Sequence, residues 1–339
     1  MKVLVTGAAG FLGGYLVEEL LSHGYQVVGL DNYSKYGRIA KSYDSHPRYQ
    51  FVEGDAKNAD LLKELMADAD QFIALAAIIG GISLFHEFAY DLLAENERIA
   101  ASSFDAAIWA HKTKRLKRIN VISSSMVFES TDVFPTPEGE QLRCPPPKST
   151  YGFQKLACEY FAKGAWEQYR LPYTIIRPFN IIGIGEKRAL ADKEVMSGNI
   201  RLAMSHVVPD LVHKVLCGQD PLHILGDGRQ VRCYTYGGDV AKGIRLCMES
   251  ALAVNEDFNL SSPVPTTVMQ LAQTIWAKIC PDKPFRHVSD KPYEYDVQKR
   301  IPSVEKAQRV LGFEASTRLE DALDEIIPWI GKQMETGGI

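Results

Sequence analysis

The sequence contains no uninterrupted apolar run of about 18 residues among its 339, so no membrane span is predicted. Basic residues are not in excess, because 38 Lys and Arg stand against 42 Asp and Glu. No basic stripe is present either, and a nucleic-acid partner is not expected. The opening residues, MKVLVTGAAGFLGG, lack the three-part pattern of a secretory signal. We therefore expect a cytoplasmic protein with neither a membrane nor a nucleic-acid partner.

Cysteine is sparse, and no two cysteines have the C-x-x-C spacing of a metal or redox site. A disulfide framework or a zinc site needs closer and more regular spacings. No metal site is therefore predicted, and each thiol is expected to be a small buried apolar side chain. The six are Cys144, Cys158, Cys217, Cys233, Cys247 and Cys280.

Short β-branched runs alternate with amphipathic segments over the first half of the chain. The predicted strands are KVLVTG, QVVGLDN, YQFVEGD, QFIALAA, RINVISSS and YTIIRPFN. Helices are predicted near 58–68, 91–112 and 150–168. This alternation indicates an α/β protein with a Rossmann-type, doubly wound parallel sheet. We expect residues 1–180 to form the nucleotide-binding domain with the catalytic groups. Residues 181–339 should form a smaller α/β lobe that is mainly substrate-binding, with some segments returning to the first domain.

A glycine loop follows the first predicted strand. Gly7, Gly10 and Gly13 have G-x-x-G-x-x-G spacing, which allows a tight turn and a close approach of the backbone to a pyrophosphate at a helix N-terminus. An ordinary strand-to-helix turn is the alternative interpretation. Asp31 ends the second strand, where a carboxylate accepts from ribose hydroxyls and repels a 2′-phosphate. NAD is therefore the predicted cofactor.

Two basic residues near Asp31 bear on the choice between NAD and NADP, and a second acid is a candidate contact for the cofactor. Lys35 and Arg38 lie close to Asp31 in sequence and leave NADP open as an alternative. Asp55 follows the third predicted strand, where it can contact the adenine or simply cap the strand end.

Serine ends a buried strand in NVISSS, residues 120–125, so its hydroxyl is expected over the nicotinamide side of the cleft. Tyr151 and Lys155 have i, i+4 spacing and share one helix face. A lysine ammonium stabilises a nearby phenolate, so the tyrosine can act as a base near neutral pH. A serine hydroxyl opposite it can stabilise an alkoxide as hydride leaves.

With these motifs the chain resembles the extended short-chain dehydrogenase/reductases, the NAD-dependent nucleotide-sugar epimerases and dehydratases, and among them the UDP-glucose 4-epimerases. The resemblance covers nearly the whole chain. It rests on VTGAAGFLG, LDN, SSSMVF, YGFQK, RPFNIIGIGE, GDGRQVRCYTYGGDVA and DVQKRIPSVEKAQRVLGF. The chain departs from the family pattern at Asn58, where an acid is usual, at Ala74, where histidine is frequent, and at Ile184, where proline is usual.

The resemblance implies NAD as cofactor and Ser124, Tyr151 and Lys155 as the catalytic residues. The cofactor-binding residues that it implies are Gly7, Gly10, Phe11, Leu12, Gly13, Asp31, Asn32, Asp55, Ala56, Leu75, Ala76, Ala77, Asn96, Ser123, Tyr151, Lys155 and Pro178. The implied substrate-binding residues are Ile79, Ser124, Met126, Asn180, Arg232 and Arg300. The two arginines are expected at a substrate diphosphate, which suits the guanidinium fork; solvated surface arginines are the alternative.

Members of this family share a first step, in which bound NAD takes hydride from a sugar carbon, usually C4. The resemblance to dehydratases and decarboxylases asks for an acid at position 126, but this chain has Met126, which carries no transferable proton. A packing residue that lines the pocket is the favoured interpretation. The 3,5-epimerases carry cysteine there. Lys187, Lys193 and His206 are the candidates for a replacement acid or base.

The reaction that needs the fewest further groups is 4-epimerisation, for which Ser124, Tyr151 and Lys155 suffice. We therefore expect an NAD-dependent UDP-hexose 4-epimerase. A dehydratase or 3,5-epimerase with an acid or base outside position 126 is the alternative, and a reductase releasing NADP is disfavoured by Asp31. A non-catalytic NAD-binding protein is a third possibility, against which the complete Ser–Tyr–Lys set argues.

The resemblance also implies a homodimer that forms through two helices of each subunit, 91–112 and 150–168, in a four-helix bundle. The segment LLAENERIAASSFDAAIWAH has apolar or small residues on more than one face. This pattern is typical of a helix that is buried on two sides.

Overall fold

The computed structural model describes residues 1–80, 88–186, 206–292 and 297–337, and the backbone of 194–195 and 198–199. The strands in this part of the chain are β1 (Lys2–Thr6), β2 (Gln26–Asp31), β3 (Tyr49–Glu53), β4 (Gln71–Ala74), β5 (Arg118–Ile122), β6 (Tyr173–Pro178), β7 (Ile181–Ile182), β8 (Glu194–Val195), β9 (Gly198–Asn199), β10 (Leu222–Leu225), β11 (Val231–Arg232), β12 (Thr235–Tyr236), β13 (Glu256–Leu260), β14 (Thr266–Thr267), β15 (His287–Asp290) and β16 (Lys299–Arg300). All six strands predicted for the first half are confirmed.

Helices connect these strands. They are α1 (Phe11–Ser22), α2 (Ala59–Met66), α3 (Ala89–Thr113), α4 (Thr150–Tyr169), α5 (Val207–Leu216), α6 (Gly237–Glu249), α7 (Val268–Ile279), α8 (Glu305–Leu311) and α9 (Leu319–Glu335). The predictions near 58–68, 91–112 and 150–168 are confirmed as α2, α3 and α4. Within the described ranges, no helix is both long and apolar enough to span a bilayer.

Seven parallel strands form the central sheet in the order β13–β6–β5–β4–β1–β2–β3. The chain moves outward from β1 to β3 and then returns to β4 on the other side of β1. Such a reversal opens a crevice at the carboxyl ends of the strands, where ligands bind in doubly wound sheets. The predicted Rossmann-type fold is confirmed.

Strand β1 shows why the first predicted strands are continuously apolar. Val3 and Val5 pack in a core that also contains residues of α1 and α6. Leu4, between them, packs in a second core with residues of α2, α3 and α4. Because successive side chains of a strand point to opposite faces, both faces of the sheet are covered by helices, and both need apolar residues.

A third core lies in the C-terminal half and contains Leu211 of α5, Leu271 of α7 and Leu323 of α9. Helix α7 begins at a Thr267 capping box, as its threonine predicts. By contrast, α6 packs with α1, and β13 pairs with β6, so these two segments belong to the central sheet layers. The domain boundary at residue 180 stays a prediction.

The cysteine expectation holds for Cys158, Cys233 and Cys247, which are buried, but it is wrong for Cys217, which is exposed. Cys217 is the C-cap of α5, where the chain turns away from the core at the protein surface. Cys144 and Cys280 are partly exposed, and all six thiols are free.

Candidate active site

A cleft of about 700 Å³ runs from the glycine loop across the ends of β4, β5 and β6 to the C-terminal lobe. Every predicted cofactor-binding, catalytic and substrate-binding residue lines this cleft except Asn96. The fold therefore brings together side chains and loops that are spread from Gly7 to Arg300.

The glycine loop has the geometry of an anion cradle. Gly7 has a positive φ of 73°, and a Cβ there would lie 3.0 Å from the Ala76 backbone. Gly10 is the N-cap of α1 without a side-chain cap, and the first turn carries no acidic residue. The N–H groups of this turn are therefore available to a phosphate. These features fit the pyrophosphate of a dinucleotide.

We predict that Gly13→Ala abolishes dinucleotide retention and lowers the melting temperature. The added Cβ would overlap the carbonyl oxygen of Gly7 and lie 2.9 Å from the Ala8 backbone, and backbone atoms cannot move aside without opening the turn. Thermal unfolding and cofactor extraction from the purified variant would check this.

Gly331→Ala is the matched control, because that glycine also lies in a helix and its nearest heavy atom, Leu216 Cδ1, is 4.0 Å from the added Cβ. This variant should keep its cofactor and be slightly stabilised, since alanine is the better helix former. Equal losses in the two variants would contradict the proposed cradle.

Asp31 is held in place by the backbone around it. Its Oδ2 accepts from Ala9 N at 3.1 Å, and its Oδ1 accepts from Tyr33 N at 2.8 Å. Burial raises the pKa of Asp31, which these hydrogen bonds oppose. Arg38 does not line the cleft and instead pairs with Glu53. This arginine is therefore not placed to contact the 2′-phosphate of NADP.

Lys35 does line the cleft. Burial lowers the pKa of its ammonium group, and the nearby Glu186 opposes that change. Of the two basic residues that kept NADP open, only Lys35 is therefore positioned to reach a cofactor.

Two predicted cofactor residues are engaged by the protein itself. Asn96 is buried behind the cleft, where its Oδ1 accepts from Ile78 N at 2.7 Å and its Nδ2 donates to Ile78 O at 3.0 Å. Asn96 therefore holds the loop after β4, and its direct contact with the cofactor stays a prediction. Asp55 lines the cleft, but its Oδ1 accepts from Lys57 N at 2.8 Å, the capping role that was its alternative.

One departure from the family pattern has a simple local explanation. Asn58 is the N-cap of α2, and its side chain accepts from the backbone N–H groups of Asp60 and Leu61. Asparagine caps a helix about as well as aspartate, so the substitution preserves the turn.

The three predicted catalytic residues are buried and line one part of the cleft. Ser124 ends the loop after β5, and its Oγ accepts from Met126 N at 3.2 Å. Lys155 Nζ donates to Ile122 O at 2.9 Å and lies 5.9 Å from the ring centroid of Tyr151. The end of β5 and the first turns of α4 thus form one site.

Met126 packs against Tyr151 and Leu92 and is 3% exposed. Its side chain therefore fills space beside the predicted catalytic tyrosine, in agreement with the favoured packing interpretation. Of the replacement acids and bases, Lys187 and Lys193 lie outside the described residues. His206 lines the cleft and pairs through Nδ1 with Glu186, a carboxylate that the sequence reasoning missed.

A buried charge network lies behind the catalytic residues. Arg177 donates from Nε and from a terminal nitrogen to the two carboxylate oxygens of Glu159, at 2.6 and 2.7 Å, and to Asp257 at 2.7 Å. Burial would raise the pKa of Asp257, but Arg177 and Lys306 outweigh it and lower the pKa to about 2. This network ties α4 to β6 and β13.

The contact of Ser123 with the cofactor stays a prediction, since Ser123 lines the cleft and also joins this network. Its hydroxyl donates to Glu159 at 2.7 Å. Glu159 lies eight residues after Tyr151 on the same helix. Sequence reasoning missed Glu159 and Arg177, whose only signal was charge within otherwise apolar segments.

Two arginines mark the far end of the cleft. Arg232 on β11 and Arg300 on β16 are direct register partners in a parallel pair. One terminal nitrogen of Arg232 donates to Val231 O at 3.0 Å. Guanidinium groups bind phosphate oxygens through paired hydrogen bonds, so this arrangement fits a diphosphate.

Comparison with known proteins identifies the family of the chain. The sequence model of the NAD dependent epimerase/dehydratase family matches residues 3–261, and the chain belongs to that family. It is therefore an enzyme with NAD as cofactor. The loop of Gly7, Gly10 and Gly13 and the hydrogen-bonded carboxylate of Asp31 would hold the dinucleotide.

Individual relatives align over almost the whole chain. The uncharacterized UDP-glucose epimerase YtcB of Bacillus subtilis is 26% identical, covering 97% of this chain and 98% of the relative. The UDP-N-acetyl-alpha-D-glucosaminuronate decarboxylase of Bacillus cytotoxicus is also 26% identical and covers 97% of both. The crystal structure of UDP-glucose 4-epimerase from Thermotoga maritima with UDP-glucose is 28% identical, with a TM-score of 0.82 over 98% of this chain and 100% of that one.

Proposed function

We propose that the protein catalyses the 4-epimerisation of a UDP-hexose through a transient 4-keto sugar. The observation that carries this proposal is the composition of the cleft beside Tyr151. A complete Ser124, Tyr151 and Lys155 set lines it, while position 126 holds a packed methionine in place of an acid. The cleft therefore contains the groups needed for proton transfer at the sugar oxygen. It contains no proton donor or acceptor at position 126.

The roles of the three residues follow from their contacts. When bound, NAD would supply the chemistry of reversible hydride transfer at C4 of the sugar. Tyr151 removes the proton of the C4 hydroxyl and later returns it. Lys155 uses one of its three donors on Ile122 O, which leaves two for ligands and its charge for the phenolate. Ser124 accepts from Met126 N and keeps its O–H to donate to the sugar oxygen.

The test is turnover of a panel of UDP-, GDP-, dTDP- and CDP-sugars in D₂O, followed by mass spectrometry and proton NMR. We expect a UDP-hexose product of unchanged mass with an inverted C4 centre and no deuterium on carbon, because the same hydride is returned. Loss of water, loss of carbon dioxide, or deuterium at C3 or C5 would each contradict 4-epimerisation.

The Glu186–His206 pair favours an alternative function, that of a dehydratase or a 3,5-epimerase. A histidine held by a buried carboxylate is a common general acid–base arrangement, and both residues line the cleft. Deuterium incorporation that disappears in His206→Gln would favour this candidate. If no product forms with any member of the panel, the proposed 4-epimerisation is contradicted.

We also propose a homodimer in the cytoplasm. The six free thiols are consistent with a reducing compartment. An apolar groove between α3 and α4 is lined by Phe104, Ile108, Phe153 and Tyr160 among others, and Phe153 and Tyr160 are 50% and 58% exposed. Large exposed aromatic residues on two adjacent helices suit a second copy of the same pair.

Tyr160→Arg should convert the proposed dimer into a monomer in sedimentation velocity, because a charge would be buried at the centre of the four-helix interface. Leu252→Arg is the matched control, since Leu252 is 70% exposed and lies away from the groove. A wild-type monomer, or a Tyr160→Arg dimer, would contradict this interface.

A further inference from the structure

Tyr234 carries a buried hydroxyl that the described part of the protein leaves without a hydrogen bond. The residue is 5% exposed, and its ring packs in the third core. Its hydroxyl oxygen has no hydrogen-bond partner among the described residues. Because buried polar groups in proteins are nearly always hydrogen-bonded, this hydroxyl indicates a partner beyond the described residues, such as a ligand bound in the cleft.

The position of Tyr234 identifies the kind of partner. The residue lines the same cleft as Arg232 and Arg300 and follows Arg232 by two positions, so the two side chains share a side of an extended segment. Burial raises the pKa of Tyr234, while the charges of both arginines act in the opposite direction. The hydroxyl is therefore a neutral donor within the electrostatic reach of two cations.

A neutral O–H donor beside two guanidinium groups matches a ligand that only accepts hydrogen bonds and carries negative charge. A diphosphate meets both conditions, whereas a nucleobase offers donors as well as acceptors and carries no charge. We propose that the Tyr234 hydroxyl donates a hydrogen bond to the diphosphate of the nucleotide substrate, alongside Arg232 and Arg300. This assignment rests on the proposed function only in requiring a nucleoside diphosphate group.

The experiment is calorimetric titration of the NAD-loaded enzyme and its Tyr234→Phe variant with UDP and UMP, and with ADP, GDP, CDP and dTDP. Phenylalanine removes the hydroxyl and keeps the ring that packs in the core. We expect UDP affinity to fall about 10- to 100-fold, as for one hydrogen bond to a charged group. UMP affinity should fall less if the β-phosphate is the acceptor.

Tyr43→Phe is a matched control. Tyr43 is also buried, with a hydroxyl that lacks a hydrogen-bond partner in the described part of the chain, but it does not line the cleft. Its variant should bind UDP like the wild type. The melting temperature of ligand-free Tyr234→Phe should stay the same or rise, because an unsatisfied buried hydroxyl is removed.

The outcomes separate this inference from the proposed function. If wild type and Tyr234→Phe bind the preferred diphosphate equally, the assignment to Tyr234 is overturned and the substrate class stands. If the wild type prefers another nucleoside diphosphate to UDP and Tyr234→Phe weakens that binding, the assignment stands and the choice of UDP fails. If the wild type binds no nucleoside diphosphate, both are overturned. A destabilised ligand-free variant with unchanged affinity would indicate a purely structural hydroxyl.

Discussion

Tyr151→Phe is expected to lower kcat roughly 100- to 10,000-fold, the usual contribution of a positioned acid–base group, with little change in KM. The substitution removes one oxygen and leaves the ring, which packs against Met126 and Leu92. Steady-state kinetics on the sugar that turns over in the panel would measure both constants. The melting temperature should stay within a few degrees of the wild type.

Tyr169→Phe is the control on the same helix. Tyr169 lies in the last turn of α4 and carries the Lys112 ammonium 4.3 Å from its ring centroid, a contact that phenylalanine preserves. Its activity should equal that of the wild type. A Tyr151→Phe enzyme that retains more than about a tenth of wild-type kcat would exclude the tyrosine as the acid–base group.

Arg177→Met is expected to destabilise the protein by about 3–5 kcal/mol, the range for breaking a buried ion pair by removing one partner. Arg177 and Glu159 are both fully buried, so the variant leaves an uncompensated carboxylate between α4 and β6. Because Glu159 also accepts from Ser123 next to Ser124, kcat should fall as well. Urea unfolding monitored by circular dichroism would measure the stability change.

Two further variants isolate the cause. The double variant Arg177→Met, Glu159→Leu should recover much of the lost stability, since replacing a whole buried pair by apolar residues is often nearly neutral. Arg286→Met breaks a similar two-pronged contact with Asp220, at 3.1 and 2.8 Å, but at the surface, and should barely shift the unfolding midpoint. If Arg177→Met unfolds at the same urea concentration as Arg286→Met, the burial of the ion pair does not account for its contribution to stability.

Residues that act through local sequence were predicted well. The strands of the first half and helices α2, α3 and α4 follow from apolar periodicity, which short-range geometry dictates. The glycine loop and the Tyr151–Lys155 spacing could be recognised for the same reason. Each of these motifs spans only a few residues, so the residues next to one another in sequence determine most of its conformation.

The residues that the sequence reasoning missed, and the hydrogen bonds that it could not assign, depend on contacts between distant parts of the chain. Ser123, Glu159 and Arg177 form one network across 54 positions of the chain, from three different elements. Asn96 lies 18 residues from the Ile78 backbone group that it holds. The sequence alone could place polar residues near a cleft, but it could not assign their hydrogen bonds to protein or to ligand.

By itself, the sequence determined the α/β class and predicted the nucleotide-binding loop and the catalytic triplet, because strand and helix periods and turn-forming glycines are local properties of the chain. Only the tertiary structure decided which polar groups are left to bind a ligand. It directs the hydroxyl of Ser123 to a buried carboxylate and leaves that of Tyr234 beside two arginines. The physical reason is that a buried polar group takes its hydrogen bonds from whatever the fold brings within about 3 Å, and that neighbourhood is set by contacts between residues far apart in sequence.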